Sequence, residues 1–243
     1  MPRVSLVVPT LNEDLAEPLS ALGEYLGDLP GWTFDIVFVD DSNDSNRARS
    51  REVVRGTALP DSVRAELVDG ARRGKGAAVG KGIAATRGDI VFVIDVDLPA
   101  PIECIDEFLR ILGGDPSVDA VIAERPLERE FSSPVRFVVS RGLLLLQRAI
   151  VFHSREFTDT QCGFKAFRGD LIRDIASQQI VEGGMYDLEY LYVALRRCRR
   201  IAKVTVVPSP ERRESRINVW KCLRQDPVDL VRLKMHGVLG RYR

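Results

Sequence analysis

The chain has 243 residues, balances 35 Lys and Arg against 35 Asp and Glu, and is 45% hydrophobic. That is an ordinary globular composition, and it removes any net-charge argument for nucleic-acid binding. Two histidines without ligand spacing and four scattered cysteines with no Cys-x-x-Cys pair exclude a zinc site, and the thiols read as reduced and buried in a cytoplasmic protein.

Val4 to Val8 is an apolar run ended by Pro9, the pattern of a buried parallel strand. Helical spacing follows through Leu15, Leu19, Leu22 and Leu26. Further strands are predicted at Phe34 to Val39, Val63 to Val68, Ile90 to Ile94 and Ala120 to Ile122, with a helix from Glu103 to Leu112 between the last two. Strands alternating with helices imply an α/β fold, a mostly parallel sheet covered on both faces. Beyond this, a long amphipathic helix is expected over Val135 to Val151, another over Met185 to Leu195, a strand over Ala202 to Val207 and a terminal helix over Pro227 to Leu239. The longest apolar stretch, Leu143 to Phe152, is about half a membrane span and is broken by Gln147 and Arg148. No signal peptide is expected, because strand-like residues begin at Arg3. The expected organisation is one domain over 1–216 and a C-terminal amphipathic helical extension over 217–243.

Charge is unevenly spread: the first 45 residues lean acidic, and Arg196 to Arg216 is rich in arginine. The basic stretch suits phosphates or a membrane surface, and equally a solvated face.

In parallel sheets, ligands collect beyond the carboxyl ends of the strands. Three predicted strands end there in polar signatures: Pro9-Thr-Leu-Asn-Glu13, Asp40-Asp-Ser42 and Asp95-Val-Asp97. Carboxylates gathered at one rim repel one another unless a cation sits among them, and a hard divalent ion with diphosphate oxygens answers that need. Helix capping explains Asp41 or Asn12 singly, but not three rims together. The glycine-rich stretch Gly70 to Gly82 fits neither phosphate-loop pattern. It is either a tight turn before a helix or a set of free amides that, with Lys75, meets an anion.

Read in order, Val8-Pro-Thr-Leu-Asn-Glu13, Val39-Asp-Asp-Ser42, Arg73-Gly-Lys-Gly-Ala-Ala-Val79 and Asp95-Val-Asp97 resemble the family 2 glycosyltransferases. Asp159-Thr-Gln-Cys-Gly-Phe-Lys165 and Val181-Glu-Gly-Gly-Met-Tyr-Asp-Leu-Glu189 narrow the likeness to the dolichyl-phosphate glucosyltransferases, with the mannose synthases as close relatives. The resemblance runs from Val4 to about Arg216 and implies a GT-A fold. By the same likeness, Pro9, Leu11, Glu13, Asp40 and Asp41 hold the nucleoside, and Lys75 belongs to the donor site. Asp97 ligates Mg²⁺ or Mn²⁺, while Asp95 contacts ribose, metal or metal-bound water. Pro99 stands where some relatives carry a glutamine ligand, which leaves that place to water. Arg125, Arg136 and Ser140 match positions that meet an acceptor phosphate, and Arg216 matches a basic residue beside the diphosphate. Gln161 to Phe164 line the sugar pocket, with Cys162 structural.

The implied reaction is inverting transfer of a hexose, glucose from UDP-glucose or mannose from GDP-mannose, to a polyprenyl phosphate. An ionised phosphate needs no general base, so Asp159 orients the sugar; a hydroxyl acceptor would make Asp159 the base. The first and last amphipathic helices could then rest on the cytoplasmic face of a membrane. Two other readings stand: a soluble transferase acting on a natural-product or peptide hydroxyl, and a nucleotide-binding protein or nucleotidyltransferase that shares only the first half.

Overall fold

The computed structural model describes residues 1–126, 141–152, 157–197, 199–207 and 219–242. Strands β1 (Arg3–Thr10), β2 (Thr33–Asp40), β3 (Val63–Asp69) and β4 (Ile90–Ile94) run parallel. β5 (Ala120–Glu124) and β7 (Ile201–Thr205) are parallel to each other, and β6 (Phe164–Arg168) inserts antiparallel between β4 and β5. The sheet order is β3-β2-β1-β4-β6-β5-β7. Around it pack α1 (Ala16–Gly27), α2 (Asp44–Gly56), α3 (Lys75–Ala85), α4 (Cys104–Gly114), α5 (Gly169–Ser177), α6 (Tyr186–Arg196) and α7 (Val219–Val238). Residues 141–146 are helical and run into a π-helical segment, Gln147–Phe152.

The inner strands bury both faces, which is why β1, β2 and β4 read as near-continuous apolar runs, whereas the edge strands β3 and β7 are partly exposed. Val4, Leu6 and Val8 of β1 point into one core with Leu19, Leu22 and Leu26 of α1 and Phe108 and Leu112 of α4. Val7 points into the opposite core with Val79 and Ile83 of α3, Ile172 of α5 and Leu188 of α6. Phe92 and Phe108 stack in the first core and Phe164 meets both edge-on, with centroids 5.2–6.2 Å apart. Leu230 and Leu233 of α7, with Tyr242 beyond it, join the second core. The expected domain boundary after 216 lies outside the described residues.

Three sequence expectations change. Pro9 does not end β1: it pairs with Val39, and the strand continues to Thr10. The β4 ladder on the other side stops at Val7, so a residue without an N–H is tolerated there. The terminal helix begins well before Pro227, which sits inside α7 at the cost of one backbone hydrogen bond; the buried Leu230 and Leu233 anchor the turns that follow. The helix expected from Val135 is described only from 141, and its end widens into the π segment.

Register sets up the rim. Thr10 pairs with Asp40 and Asp40 with Asp69, so β1, β2 and β3 finish level. Asp95 follows the last residue of β4.

Candidate functional site

The site is built from the loops that leave this level edge. Asp40, fully buried, accepts the Ser42 amide at 2.8 Å through Oδ1, while its Oδ2 is buried with no hydrogen-bond partner. Asp41 Oδ1 accepts the Arg72 amide at 2.8 Å. The second carboxylate thus folds the Arg72–Arg73 loop back over the end of β2. Asn12, with φ 57°, donates its amide to Ser42 Oγ at 2.7 Å. Pro9 is buried at the end of β1, Glu13 Oε2 accepts the Leu11 amide at 3.3 Å, and the Leu11 side chain is exposed on the rim.

Asp95 and Asp97 lie in a turn closed by the Leu98 amide on Asp95 O at 3.0 Å. Lys75, the first residue of α3, places Nζ 2.6 Å from Asp95 Oδ1. That oxygen is buried and has no other partner, so Lys75 is its only counter-charge among the described residues. The crowding of protein around Lys75 opposes its charge, but Asp95, with Asp187 and Asp97 behind it, outweighs that and holds the ammonium above the ordinary lysine range.

The glycine-rich stretch proves to be a helix start as well as a turn. Gly74 has φ 134°, and a Cβ there would lie 2.5 Å from Glu182 O. Only glycine lets the loop before α3 lie flat against residues 181–183. The Arg73–Glu182 ion pair, 3.3 Å, and the Ala77 amide on Glu182 O hold the two loops together. Two motifs about a hundred residues apart therefore form one wall behind Lys75. A third joins from β6: a Cβ on Gly163 would sit 2.2 Å from Asp95 Oδ2, and Gly163 O accepts the Asp95 amide at 2.8 Å.

Sequence reasoning left the interior wall without roles. Lys165 of β6 and Asp187 of α6 form a buried pair at 2.9 Å, and Lys165 Nζ also donates to Cys162 O at 2.5 Å. Burial lifts the Asp187 carboxyl above its usual range against the pull of Lys165 and Lys75. Tyr186, buried beside it, has a hydroxyl without a hydrogen-bond partner. Glu189 is a clamp: it accepts the amides of Ile180 and Val181 and the Tyr242 hydroxyl, each at 2.8 Å, so it ties the 178–184 loop to the chain beyond α7. The signal for these roles was in the sequence as buried charges on otherwise apolar elements, but spacing alone does not pair them.

Arg125 and Asp159 meet in a buried bidentate pair, 2.5 and 3.2 Å, and Asp159 Oδ1 also accepts the Gln161 amide. Burial works against the Arg125 charge, and the hydrogen bonds and attraction of Asp159 more than restore it. Arg125 thus spends its guanidinium on Asp159 in this structure. Gln147 of the π segment accepts the Thr160 hydroxyl at 2.7 Å, and Arg148 donates to Phe157 O, which holds the Asp159 loop from the other side. Burial pushes the Cys162 thiol up to about 11, so it is a poor nucleophile at neutral pH. Arg136, Ser140 and Arg216 lie outside the described residues.

Among the described residues, no group of three His, Cys, Asp or Glu side chains converges to hold a metal alone. Asp95 and Asp97 nonetheless suit a hard divalent ion: both are oxygen donors, and Asp95 Oδ1 is held only by the half-exposed Lys75 ammonium. The remaining ligands would be donor oxygens and water. Among the described residues, no helix is long and apolar enough to cross a membrane.

The sequence profile described as Glycosyl transferase family 2 matches residues 5–175. A dolichyl-phosphate beta-glucosyltransferase of Trichomonas vaginalis is 27% identical over 215 residues, covering 83% of this chain and 62% of its own length. The human dolichyl-phosphate beta-glucosyltransferase is 26% identical over 258 residues, covering 99% of this chain and 78% of its own. The chain therefore spans under two thirds of the first of these relatives. Among solved structures, glucosyl-3-phosphoglycerate synthase from Mycobacterium tuberculosis, in complex with Mg²⁺ and UDP, superposes with a TM-score of 0.68 at 20% identity, covering 96% of this chain and 79% of that one. The expected α/β sheet of GT-A type is thereby established.

Proposed function

Because the chain belongs to glycosyl transferase family 2, we propose that it moves glucose from UDP-glucose, with inversion, to the phosphate of a polyprenyl lipid. The observation that carries the reading is one sheet edge that ends in Asp40, Asp95 and Asp97, with the half-exposed Lys75 on Asp95 and a carboxylate oxygen of Asp40 without a partner. The two relatives are named for glucosyl transfer to dolichyl phosphate, and the structural neighbour holds Mg²⁺ and UDP; both support the donor and acceptor assigned.

In this reading Pro9, Leu11, Glu13, Asp40 and Asp41 hold the nucleoside, and Asp95 and Asp97 hold Mg²⁺ or Mn²⁺. When bound, the ion supplies positive charge beside the departing diphosphate. Lys75 and Arg216 add their own charge to the same oxygens. An ionised phosphate oxygen of the acceptor attacks the anomeric carbon in line as the bond to the diphosphate breaks, and no proton moves. Asp159, fixed by Arg125 and the Gln161 amide, orients the sugar. Arg136 and Ser140 grip the acceptor phosphate, with Arg125 shared between that phosphate and Asp159.

The acceptor's lipid tail finds support in α7, which is apolar on two opposite sides. Leu230, Leu233 and Gly237 face the core, while Val228, Val231, Met235, Val238 and Leu239 are exposed at helical spacing. Arg224, Arg232 and Arg241 are exposed on the same segment. An apolar stripe with basic flanks suits the surface of an anionic bilayer.

The test is a donor and acceptor screen: UDP-glucose and GDP-mannose, each with polyprenyl phosphate, with a soluble alcohol, and alone. Glucose transfer to lipid phosphate is expected, with Arg136→Ala raising the apparent KM for the lipid about tenfold. Transfer to the alcohol alone, abolished by Asp159→Asn, would replace the lipid acceptor with a hydroxyl.

A further inference from the structure

We propose that Lys75 is a resident counter-ion for Asp95, which a divalent metal must displace and which then turns to the donor's diphosphate. The inference rests on the reading of Asp95 and Asp97 as metal ligands, and it predicts a binding property that this reading alone does not.

Lys75 Nζ stands 2.6 Å from Asp95 Oδ1, an oxygen otherwise buried and without another hydrogen-bond partner. A single ammonium contact on a partly exposed side chain is one that a divalent cation, which binds the same oxygen more strongly, can take over. The Lys75 side chain is also free to leave. It is 42% exposed, and it springs from the first turn of α3 on a four-carbon stem. The second ammonium of the cluster has no such freedom: Lys165 is enclosed and doubly held by Asp187 and Cys162 O.

Charge counting leads to the same place. Asp95 touches Lys75, Asp97 and Asp187 also act on its charge, and Lys165 neutralises Asp187 from the sheet. Three carboxylates against two ammoniums leave one negative charge, and the neighbouring Arg125–Asp159 pair cancels itself. A divalent ion arriving alone reverses the sign of the cluster and lies beside Lys75. The two negative charges of a nucleotide-sugar diphosphate return the cluster to one net negative charge and offer Lys75 a new partner. Metal and nucleotide therefore reinforce each other, each weak without the other, and Lys75 is the group that couples them.

The experiment titrates Mn²⁺ into the full chain, followed by the electron paramagnetic resonance of free Mn²⁺, with and without UDP. Lys75→Met and Lys75→Gln are compared with wild type after circular dichroism shows both folded. Removing the ammonium should tighten Mn²⁺ alone by about tenfold, or about 1.4 kcal/mol, and should shrink the enhancement that UDP gives by a similar factor. A merely structural ion pair predicts the opposite, since its loss loosens the site. If wild type binds Mn²⁺ with UDP but neither variant binds Mn²⁺ alone more tightly, the counter-ion role is wrong while the metal reading stands. If wild type binds no Mn²⁺ even with UDP, both fall.

Discussion

Lys75 meets Asp95 at a rim of loops and keeps 42% of its side-chain exposure, whereas Lys165 meets Asp187 inside the fold and keeps 1%. The chemistry of the two pairs is the same and their surroundings are opposite. At the rim, water and ligands compete for the ammonium, so the pair is an exchangeable contact. Behind β6 and α6 nothing competes, and each charge is stranded if the other is lost. Identical residue types in one cluster thus divide into an exposed pair and an enclosed one, and burial rather than distance makes the division.

The largest effect should come from the rim. Asp97→Ala is expected to lower sugar transfer by about 10³-fold or more, the loss of several kcal/mol of charge stabilisation in the transition state, with the melting temperature hardly changed. Excess EDTA should do the same to wild type and added Mn²⁺ should reverse it; full turnover in EDTA would remove the metal from the mechanism.

The interior pair should answer in stability. Asp187→Ala leaves Lys165 buried and unpaired, and urea unfolding should show a loss of about 3–5 kcal/mol. Replacing both partners, Lys165→Met with Asp187→Leu, should recover most of it; no recovery would mean that the pair does more than neutralise itself. The pair also carries a pH signature. Asp187 and Glu189 titrate above their usual values in the folded chain because both are buried. Between the unfolded and folded values the native state holds more protons, so stability falls as pH rises through the range just above the ordinary carboxylate values. The double replacement should flatten part of that slope.

A smaller change is expected at the edge of the rim. Asp41→Ala frees the Arg72 loop and removes one charged acceptor, which should weaken nucleotide binding by about 1–3 kcal/mol in titrations with UDP and GDP. An unchanged affinity would assign Asp41 to loop structure only. The smallest effect belongs to the interior thiol. With its titration pushed up to about 11, Cys162 should resist iodoacetamide at pH 8 in the native chain and react on unfolding. Rapid native labelling would show that the wall behind Asp95 opens.

β1, β2 and β4 were legible because burial on both faces writes itself as apolar runs, and Leu15, Leu19, Leu22 and Leu26 repeat at helical spacing. α2 was not foreseen: only Ser50 and Val54 of its thirteen residues are buried, so its pattern is polar and its start rests on the Asn43 cap. β6 was hidden for a different reason. Its residues read as pocket lining, and a buried lysine in its centre disguises a strand that sits between β4 and β5.

By itself the sequence determined the α/β class, the rim carboxylates Asp40, Asp41, Asp95 and Asp97, and the ordered motifs of the family. These depend on local periodicity and on residues that lie close along the chain. Which charge pairs with which was decided only by the tertiary structure. Lys75 and Asp95, Lys165 and Asp187, and Arg125 and Asp159 are each separated by at least twenty residues. Their partnership depends on an antiparallel strand that brings Gly163 and Lys165 beside β4, and on a glycine that lets the α3 loop touch Glu182. Spacing along a chain fixes what a residue can do locally, but the energy of a buried charge depends on what surrounds it in space.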